Sequence, residues 1–405
     1  MTLDLRTRYD ADVVQVDETD FFEHQLPALA AERSPLAVPG ARELEVEPFT
    51  IETPTGAWTL SLEGERVGIG PGAGGRGHVR LGAGELTEIV FDRITPMTLL
   101  TAGALDTVRG DLGDFLDWWV VLRSLLDGRA VHTAGSVAFK GRDGAPLDLH
   151  HSFGPDDDPA EAAHFLREAG FLHLERVFST EEMAQVSADM DAAFPYYEPD
   201  DGRSWWATTA SGAHRPVRLQ WFQEHSPTTA ALLEDDRFLR IGRLTGDGHR
   251  SRTEGNVIEA LVKPIGVVEG ISDLPWHKDC SLGRHSYQCC GLTVGISVTG
   301  ADGRSGQLAV VAGSHRALVQ PAFYRDCWGL PVVELPTKTG DVTVHCSCTL
   351  HMSYPPVDRE RRVMYTGFSL PPRAGDGGAP SNVEQLGRVR EGAYKTVSQA
   401  PGHVA

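Results

Sequence analysis

Beyond about residue 214, the chain is a succession of short strand-like runs separated by Gly, Pro and Asp. The 405 residues include 44 Gly and 25 Pro, which is high for a helical bundle and typical of a fold with many turns. The second half of the chain is therefore predicted to be rich in β-strands.

The first half of the chain mixes strand and helix signals. Residues 1–45 are charged and show no long element. From Trp58 onward, apolar residues alternate with polar ones, which predicts half-buried strands, and two later segments carry helical periodicity with capping residues. The predicted strands lie at 58–62, 67–69, 79–81 and 88–91, and the predicted helices at 95–105 and 112–126.

A stretch rich in Gly and Pro separates the two halves, and we interpret residues 133–158 as a linker. After it, the pattern predicts a helix at 158–169, a strand at 171–177 and a second helix that begins with a capping box. The sequence thus predicts a two-domain α+β protein. Its parts are an N-terminal extension (1–45), a small α/β domain (46–132), the linker, a β-rich domain (159–372) and a Gly- and Pro-rich tail (373–405).

Charge and composition exclude several classes of protein. Lys and Arg total 37 and Asp and Glu total 56, so the formal net charge is −19. Such a chain lacks the basic surface that a protein needs to bind nucleic acids or anionic membranes. No apolar run is long enough for a membrane span, the first residues contain no secretory signal, and six cysteines in a chain this long do not form a disulfide framework. We therefore expect a reduced, cytoplasmic protein.

The most informative motif is His277-x-Asp279. Residues i and i+2 of a strand point to the same side, so both side chains can bind one metal ion. A later histidine, either His345 or His351, would complete a set of two imidazoles and one carboxylate. That facial set leaves open positions on the metal and suits non-haem Fe(II).

Two further groups lie downstream of this motif. Arg362 follows His351 by eleven residues, and its guanidinium can clamp a carboxylate with two hydrogen bonds. Arg361 is adjacent, but neighbouring strand residues face opposite sides, so only one of the two points inward. Cys346 and Cys348 form a rival cluster with His351 that would suit zinc, although buried free cysteines explain them more simply.

Several segments together resemble the phytanoyl-CoA dioxygenase family of Fe(II)/2-oxoglutarate oxygenases. In chain order they are the helix–strand–helix run at 165–182, Lys263-Pro264 before the His277 motif, the Gly306 to His315 segment, and the block from Gly340 through His351 to Arg362. The resemblance covers about half of the chain. It implies a double-stranded β-helix, the jelly-roll barrel of this superfamily.

The same resemblance implies a set of roles for individual residues. His277, Asp279 and His351 would bind iron, with O2 taking the last open position, and Arg362, helped by Ser353, would bind the distal carboxylate of 2-oxoglutarate. Glu259 and Thr293 are candidates for further 2-oxoglutarate contacts. Because Asp279 is present where related halogenating enzymes have a small residue, oxygen insertion is favoured over halogenation.

Residues 46–132 are similar to the sterol carrier protein-like fold through the strand at 58–62 and the two helices that follow. This similarity implies an apolar groove that presents a lipophilic substrate, or a module for packing or homodimerisation.

The expected function is a dioxygenase that hydroxylates, or otherwise oxidises by hydrogen abstraction, an apolar small molecule such as a lipid, a terpenoid or a specialised metabolite. One alternative is a lipid-binding carrier protein without catalysis. Another is an acyl-CoA hydroxylase, for which Arg237, Arg240 and Arg243 would have to bind the phosphates.

Overall fold

A computed structural model describes residues 13–270, 274–282 and 291–370 of the chain. The N-terminal part is built on a five-stranded sheet in the order β3-β2-β1-β4-β5, in which β1 and β4 are parallel and the other neighbours antiparallel. Its strands are β1 (Phe49–Thr53), β2 (Gly56–Glu63), β3 (Arg66–Pro71), β4 (Gly77–Arg80) and β5 (Asp106–Arg109). Its helices are α1 (Glu18–Asp20), which continues through a π-helical turn (Phe21–Gln25) into α2 (Leu26–Glu43), then α3 (Ala83–Val90), α4 (Pro96–Thr101) and α5 (Leu112–Asp127).

The segment predicted to be an extension without a long element is a helix that belongs to this module. The 18-residue α2 contains Pro35 and Pro39, which hide its helical signal, and it is held by packing on α5 and β3. Just before it, Phe22 stacks on Trp58 with ring centroids 4.6 Å apart. The boundary predicted at residue 45 is therefore wrong.

Predictions for the other N-terminal elements are partly confirmed. The strands near 58, 67 and 79 are present as β2, β3 and β4, and α5 ends at Gly128 in the left-handed conformation, as predicted. The strand predicted at 88–91 is wrong, because those residues complete α3 and the turn that ends it. The helix predicted at 95–105 stops at Thr101, and β5 follows.

The C-terminal part consists of two antiparallel sheets with helices on one side. The helices are α6 (Pro159–Ala169), α7 (Thr180–Ala193), α8 (Pro227–Leu233) and α9 (Asp236–Arg243), with short 3-10 turns at Phe194–Tyr196, Phe222–Glu224, Asp279–Leu282 and Asp326–Trp328. The strands are β6 (Phe171–Leu174), β7 (Ser204–Thr209), β8 (His214–Leu219), β9 (Arg250–Ser251), β10 (Glu259–Lys263), β11 (Val267–Glu269), β12 (Leu274–His277), β13 (Gly291–Ser297), β14 (Leu308–Val311), β15 (Val332–Leu335), β16 (Val342–Cys346), β17 (His351–Ser353) and β18 (Arg361–Ser369).

The larger sheet has nine strands in the order β11-β7-β8-β10-β18-β13-β16-β6, with β9 beside β18, and the smaller has four in the order β12-β17-β14-β15. Alternate residues of the large sheet, such as Val262, Val294 and Met364, pack in one core with side chains of α6 to α9. We call this the outer face. The other residues form the inner face, which looks toward the four-stranded sheet. The α+β class and the β-rich second half are thus confirmed.

The N-terminal module and the β-rich part share a hydrophobic core. Val311, Trp328 and Leu350 are buried in the same cluster as Trp119 of α5. The Arg129 guanidinium donates to the Arg316 carbonyl oxygen at 3.0 Å, which adds a polar contact between the two parts. The predicted linker, 133–158, has only isolated bridges, and its Phe153 is buried in the C-terminal core. Residues 133–158 therefore pack against the C-terminal part through Phe153.

Among the described residues, no helix combines the length and the apolarity that a membrane crossing requires.

Candidate active site

The two sheets meet at the predicted metal ligands. His277 ends β12, and Asp279 opens the 3-10 turn that follows. His351 opens β17, which pairs antiparallel with β12 so that His277 and His351 lie opposite each other, with ring centroids 4.2 Å apart. One ligand atom from each of the three residues lies within 4.8 Å of the other two.

The hydrogen bonds of both imidazoles orient them for a metal. His277 Nδ1 lies 2.7 Å from the Pro275 carbonyl oxygen, and His351 Nδ1 lies 2.9 Å from that of Thr349. A carbonyl only accepts, so each Nδ1 carries the proton and each Nε2 presents a lone pair. These two Nε2 atoms lie 3.4 and 3.7 Å from Asp279 Oδ1. Two lone pairs facing a carboxylate oxygen fit a cation between them.

The electrostatics favour the protonation states that a metal needs. Burial by itself raises the pKa of Asp279, but its interactions with the imidazoles of His351, His277 and His345 lower that pKa well below its usual range. Burial, followed by the charges of His345 and His277, lowers the pKa of His351 well below its usual value. These directions favour the ionised form of Asp279 and the neutral form of His351.

The second oxygen of Asp279 is held from the inner face of the large sheet. The Thr293 hydroxyl donates to Asp279 Oδ2 at 2.7 Å, and His345 Nε2 lies 3.4 Å from the same oxygen. Thr293 and His345 are paired across β13 and β16. Both histidines left open by the sequence thus reach Asp279, but His351 faces Oδ1 with His277, whereas His345 faces Oδ2. Thr293, a candidate 2-oxoglutarate contact, thus contacts the carboxylate of Asp279.

Arg362 lies away from this cluster, contrary to the prediction. Its side chain is on the outer face, where Nη2 lies 2.8 Å from an Asp191 oxygen and Nη1 donates to the Ser187 carbonyl oxygen at 2.9 Å. Both partners are on α7, which covers that face of β18. The guanidinium is therefore engaged with a helix, on the opposite side of the sheet from the metal ligands.

Arg361 occupies the inner position instead. It is buried, its Nη1 donates to the Gly306 carbonyl oxygen at 2.7 Å and lies 3.3 Å from Ser353 Oγ, and its Nε has no hydrogen-bond partner among the described residues. Lys263, opposite Arg361 in the β10–β18 register, donates to the same Ser353 Oγ at 2.7 Å. Arg361, Lys263 and Ser353 form what we call the inner basic group. Spacing alone gave no means of choosing between Arg361 and Arg362, although the inward direction of Lys263 follows from strand alternation once its register is known.

Glu259, the other candidate for 2-oxoglutarate, is engaged elsewhere. Its Oε2 lies 2.5 Å from Arg218 Nε, and its Oε1 accepts from Gln220 and Asn256 at 3.0 and 2.7 Å. The carboxylate is thus part of a polar network with Arg218 of β8 and with Gln220 and Asn256, which lie outside the strands.

The structure also bears on the two alternative sites. Among the described residues, His277, Asp279 and His351 are the group with the geometry for a metal ion. Cys346 lies on the outer face next to the core, and the Cys348 thiol donates to the His315 carbonyl oxygen, so the proposed zinc cluster with His351 does not form. The three arginines of α9 are each paired with carboxylates of Glu182, Asp235 or Asp236, which leaves them poorly suited to bind phosphates.

The sequence between residues 166 and 363 matches the profile of the family described as phytanoyl-CoA dioxygenase (PhyH). This part of the chain belongs to that family. The protein is a non-haem oxygenase dependent on iron and 2-oxoglutarate, and His277, Asp279 and His351 are its candidate iron site.

Solved structures similar to this oxygenase cover about half of its chain. AviO1 from Streptomyces viridochromogenes is 23% identical, with a TM-score of 0.42 over 55% of this chain and 98% of that one. SnoN, a 2-oxoglutarate-dependent epimerase from nogalamycin biosynthesis, is 18% identical, with a TM-score of 0.38 over 51% and 80%. EctD from S. alaskensis, solved with 2-oxoglutarate and 5-hydroxyectoine, is 19% identical, with a TM-score of 0.43 over 59% and 86%. No curated protein matches the chain.

Proposed function

We propose that this oxygenase binds Fe(II) through His277, Asp279 and His351, binds 2-oxoglutarate through the inner basic group, and oxidises a C–H bond of an apolar small molecule. We expect the product to be the alcohol formed by hydroxylation of that C–H bond. The observation that carries the proposal is the convergence of two Nε2 lone pairs on Asp279 Oδ1, in a barrel whose inner face also holds a buried arginine and lysine.

The inner basic group has the chemistry to hold a dicarboxylate. Arg361 is buried with its Nε directed at no described acceptor, and Lys263 adds a second buried cation beside it. Buried cations are stable only with anionic or strongly polar partners, and an arginine fork matches a carboxylate. In this proposal Arg361 takes the role that the sequence resemblance assigned to Arg362, and Ser353 keeps the role predicted for it.

When bound, iron and 2-oxoglutarate supply the activation of O2 that is coupled to the conversion of 2-oxoglutarate to succinate and CO2. The chain's own residues position these partners. Thr293 holds Asp279 Oδ2, with His345 beside it, and leaves Oδ1 for the metal, while Arg361 and Lys263 fix the far end of the cosubstrate.

The substrate class is argued from the N-terminal module. Its helix α4 contacts the 3-10 turn that begins at Asp279, and the side chain of Leu100 on α4 is exposed. Trp276, next to His277, packs against the core that the module shares with the barrel. A lipophilic substrate bound between α4 and the metal ligands would match the role that the likeness to sterol carrier proteins suggests.

The direct test is an anaerobic titration of the full-length apo-protein with Fe(II) and then 2-oxoglutarate, followed by the visible metal-to-ligand charge-transfer band. We expect the band in the wild type and its loss in His351→Ala. Iron binding without a band would instead favour a lipid-binding protein without catalysis.

A further inference from the structure

A buried polar connection lies behind the iron ligands. Lys278, between His277 and Asp279, is fully buried and has its Nζ 3.0 Å from the Ser314 carbonyl oxygen. Its backbone N–H donates to the Pro321 carbonyl oxygen at 3.0 Å. The residue between the two ligands is thus anchored to the segment that follows β14.

Ser314, in that segment, also reaches the third ligand. It is fully buried, and its hydroxyl donates to the Val311 carbonyl oxygen at 2.7 Å while it accepts the Leu350 N–H at 2.8 Å. Leu350 immediately precedes His351. One serine is therefore hydrogen-bonded to residues adjacent in the chain to all three candidate iron ligands.

The pairing of β12 and β17 is irregular, so the hydrogen bonds of Lys278 and Ser314 can contribute to the separation of the two strands. The β12–β17 register shifts between Leu274 and His277, so a regular ladder does not set the separation of the strands at His277 and His351. A buried ammonium is costly without acceptors, and the bond to the Ser314 carbonyl oxygen offsets part of that cost for Lys278. Because the Ser314 hydroxyl is bonded on both sides, the position of Leu350 is fixed relative to Lys278.

We propose that Lys278 and Ser314 are positioning residues for the iron site, which set the distance between the His277–Asp279 segment and His351. The inference rests on the proposed iron site. It predicts that breaking either bond weakens metal binding out of proportion to any loss of stability, since outer partners of metal ligands typically contribute tenfold or more to affinity.

The test compares Fe(II) affinity and unfolding midpoint in full-length variants under anaerobic conditions. Ser34→Ala is the matched control, because Ser34 is also buried, donates to the Ala30 carbonyl oxygen and accepts the Val67 N–H, but lies in the N-terminal module. We expect Ser314→Ala and Lys278→Met to raise the Kd for Fe(II) about tenfold or more. Lys278→Arg, which keeps a cationic donor, should recover most of that loss. Ser34→Ala should change the Kd for Fe(II) less than about twofold. It should lower the unfolding midpoint about as much as Ser314→Ala does.

A Kd within about twofold of wild type in both Ser314→Ala and Lys278→Met would overturn the proposal and leave these residues a role in stability alone. If Ser314→Ala does not fold, Ser314→Cys is judged by the same threshold. Failure of the wild type to bind Fe(II) would instead count against the proposed function.

Discussion

The two carboxylate oxygens of Asp279 face different sets of side chains. Oδ1 faces the two histidines of the candidate iron site, and Oδ2 accepts from Thr293. The sequence predicted Asp279 from a short motif, but Thr293 only as a 2-oxoglutarate contact. Its bond joins residues that are 14 positions apart, which no local pattern encodes.

We expect Thr293→Val to weaken Fe(II) binding about tenfold, because the carboxylate loses the donor that fixes its orientation. The Kd can be measured by anaerobic titration. Thr366→Val is the matched control, since the Thr366 hydroxyl donates to the Val257 carbonyl oxygen rather than to Asp279. An unchanged Kd in Thr293→Val, or an equal loss in the control, would contradict this assignment.

His315 gives a pH-dependent contribution to stability. Burial lowers its pKa from 6.5 to about 4. Between those two values the unfolded chain binds more protons than the native chain, so the free energy of unfolding decreases as the pH falls through this window. The decrease from this residue is about 3 kcal/mol at most.

His315 Nε2 donates to the Arg167 carbonyl oxygen, and His315→Gln keeps an amide donor without titrating. Urea unfolding between pH 7 and pH 4 should therefore show a smaller loss of stability in the variant than in the wild type. Equal slopes for the two proteins would show that the imidazole does not titrate in this way.

Elements with strong local signals were predicted well, and elements held by tertiary packing were not. The caps and apolar stripes of α5 and α7 predicted both helices. The two prolines of α2 weaken its helical signal in the sequence, but packing on α5 and β3 stabilises the helix. Residues 88–91, at the end of α3 and in the turn after it, have a pattern that predicted a strand. At the start of β18 the structure places Arg361 on the inner face and Arg362, the predicted 2-oxoglutarate ligand, on the outer face. Neighbouring strand residues face opposite sides, so a difference of one position, which motif spacing does not resolve, reverses the choice.

Gly306, in the turn before β14, links two elements of the site. It has a φ of +77°, a Cβ there would collide with the Tyr354 carbonyl oxygen, and its own carbonyl oxygen accepts from Arg361. We expect Gly306→Ala to lower the free energy of unfolding by about 2–4 kcal/mol. Urea denaturation checks this against Gly303→Ala, where a Cβ meets no atom within 4 Å. Equal stability of the two variants would contradict the argument.

Across the whole chain, the N-terminal module and the β-rich part share one hydrophobic core. The sequence predicted a module, a linker and a separate barrel, because composition changes along the chain, but it could not show that side chains from both parts meet in one core. Buried Trp328 and Leu350 belong to the β-rich part and pack against the module.

Residues 133–405 expressed alone should therefore expose apolar surface that the module covers in the full chain. We expect this fragment to bind a hydrophobic dye and to lack a cooperative thermal transition, as a loosely packed state does. A cooperative transition and Fe(II) affinity equal to those of the full-length protein would show that the two parts are independent.

In the proposed function, Arg361 on the inner face holds 2-oxoglutarate, and Arg362 on the outer face does not. The most direct measurement is the Kd for 2-oxoglutarate of Fe(II)-loaded Arg361→Leu and Arg362→Leu, followed by the charge-transfer band without oxygen. We predict a Kd raised about 100-fold in Arg361→Leu, the loss expected when one partner of a buried charge pair is removed, and a Kd near wild type in Arg362→Leu. The reverse pattern would show that Arg362, and not Arg361, binds the cosubstrate.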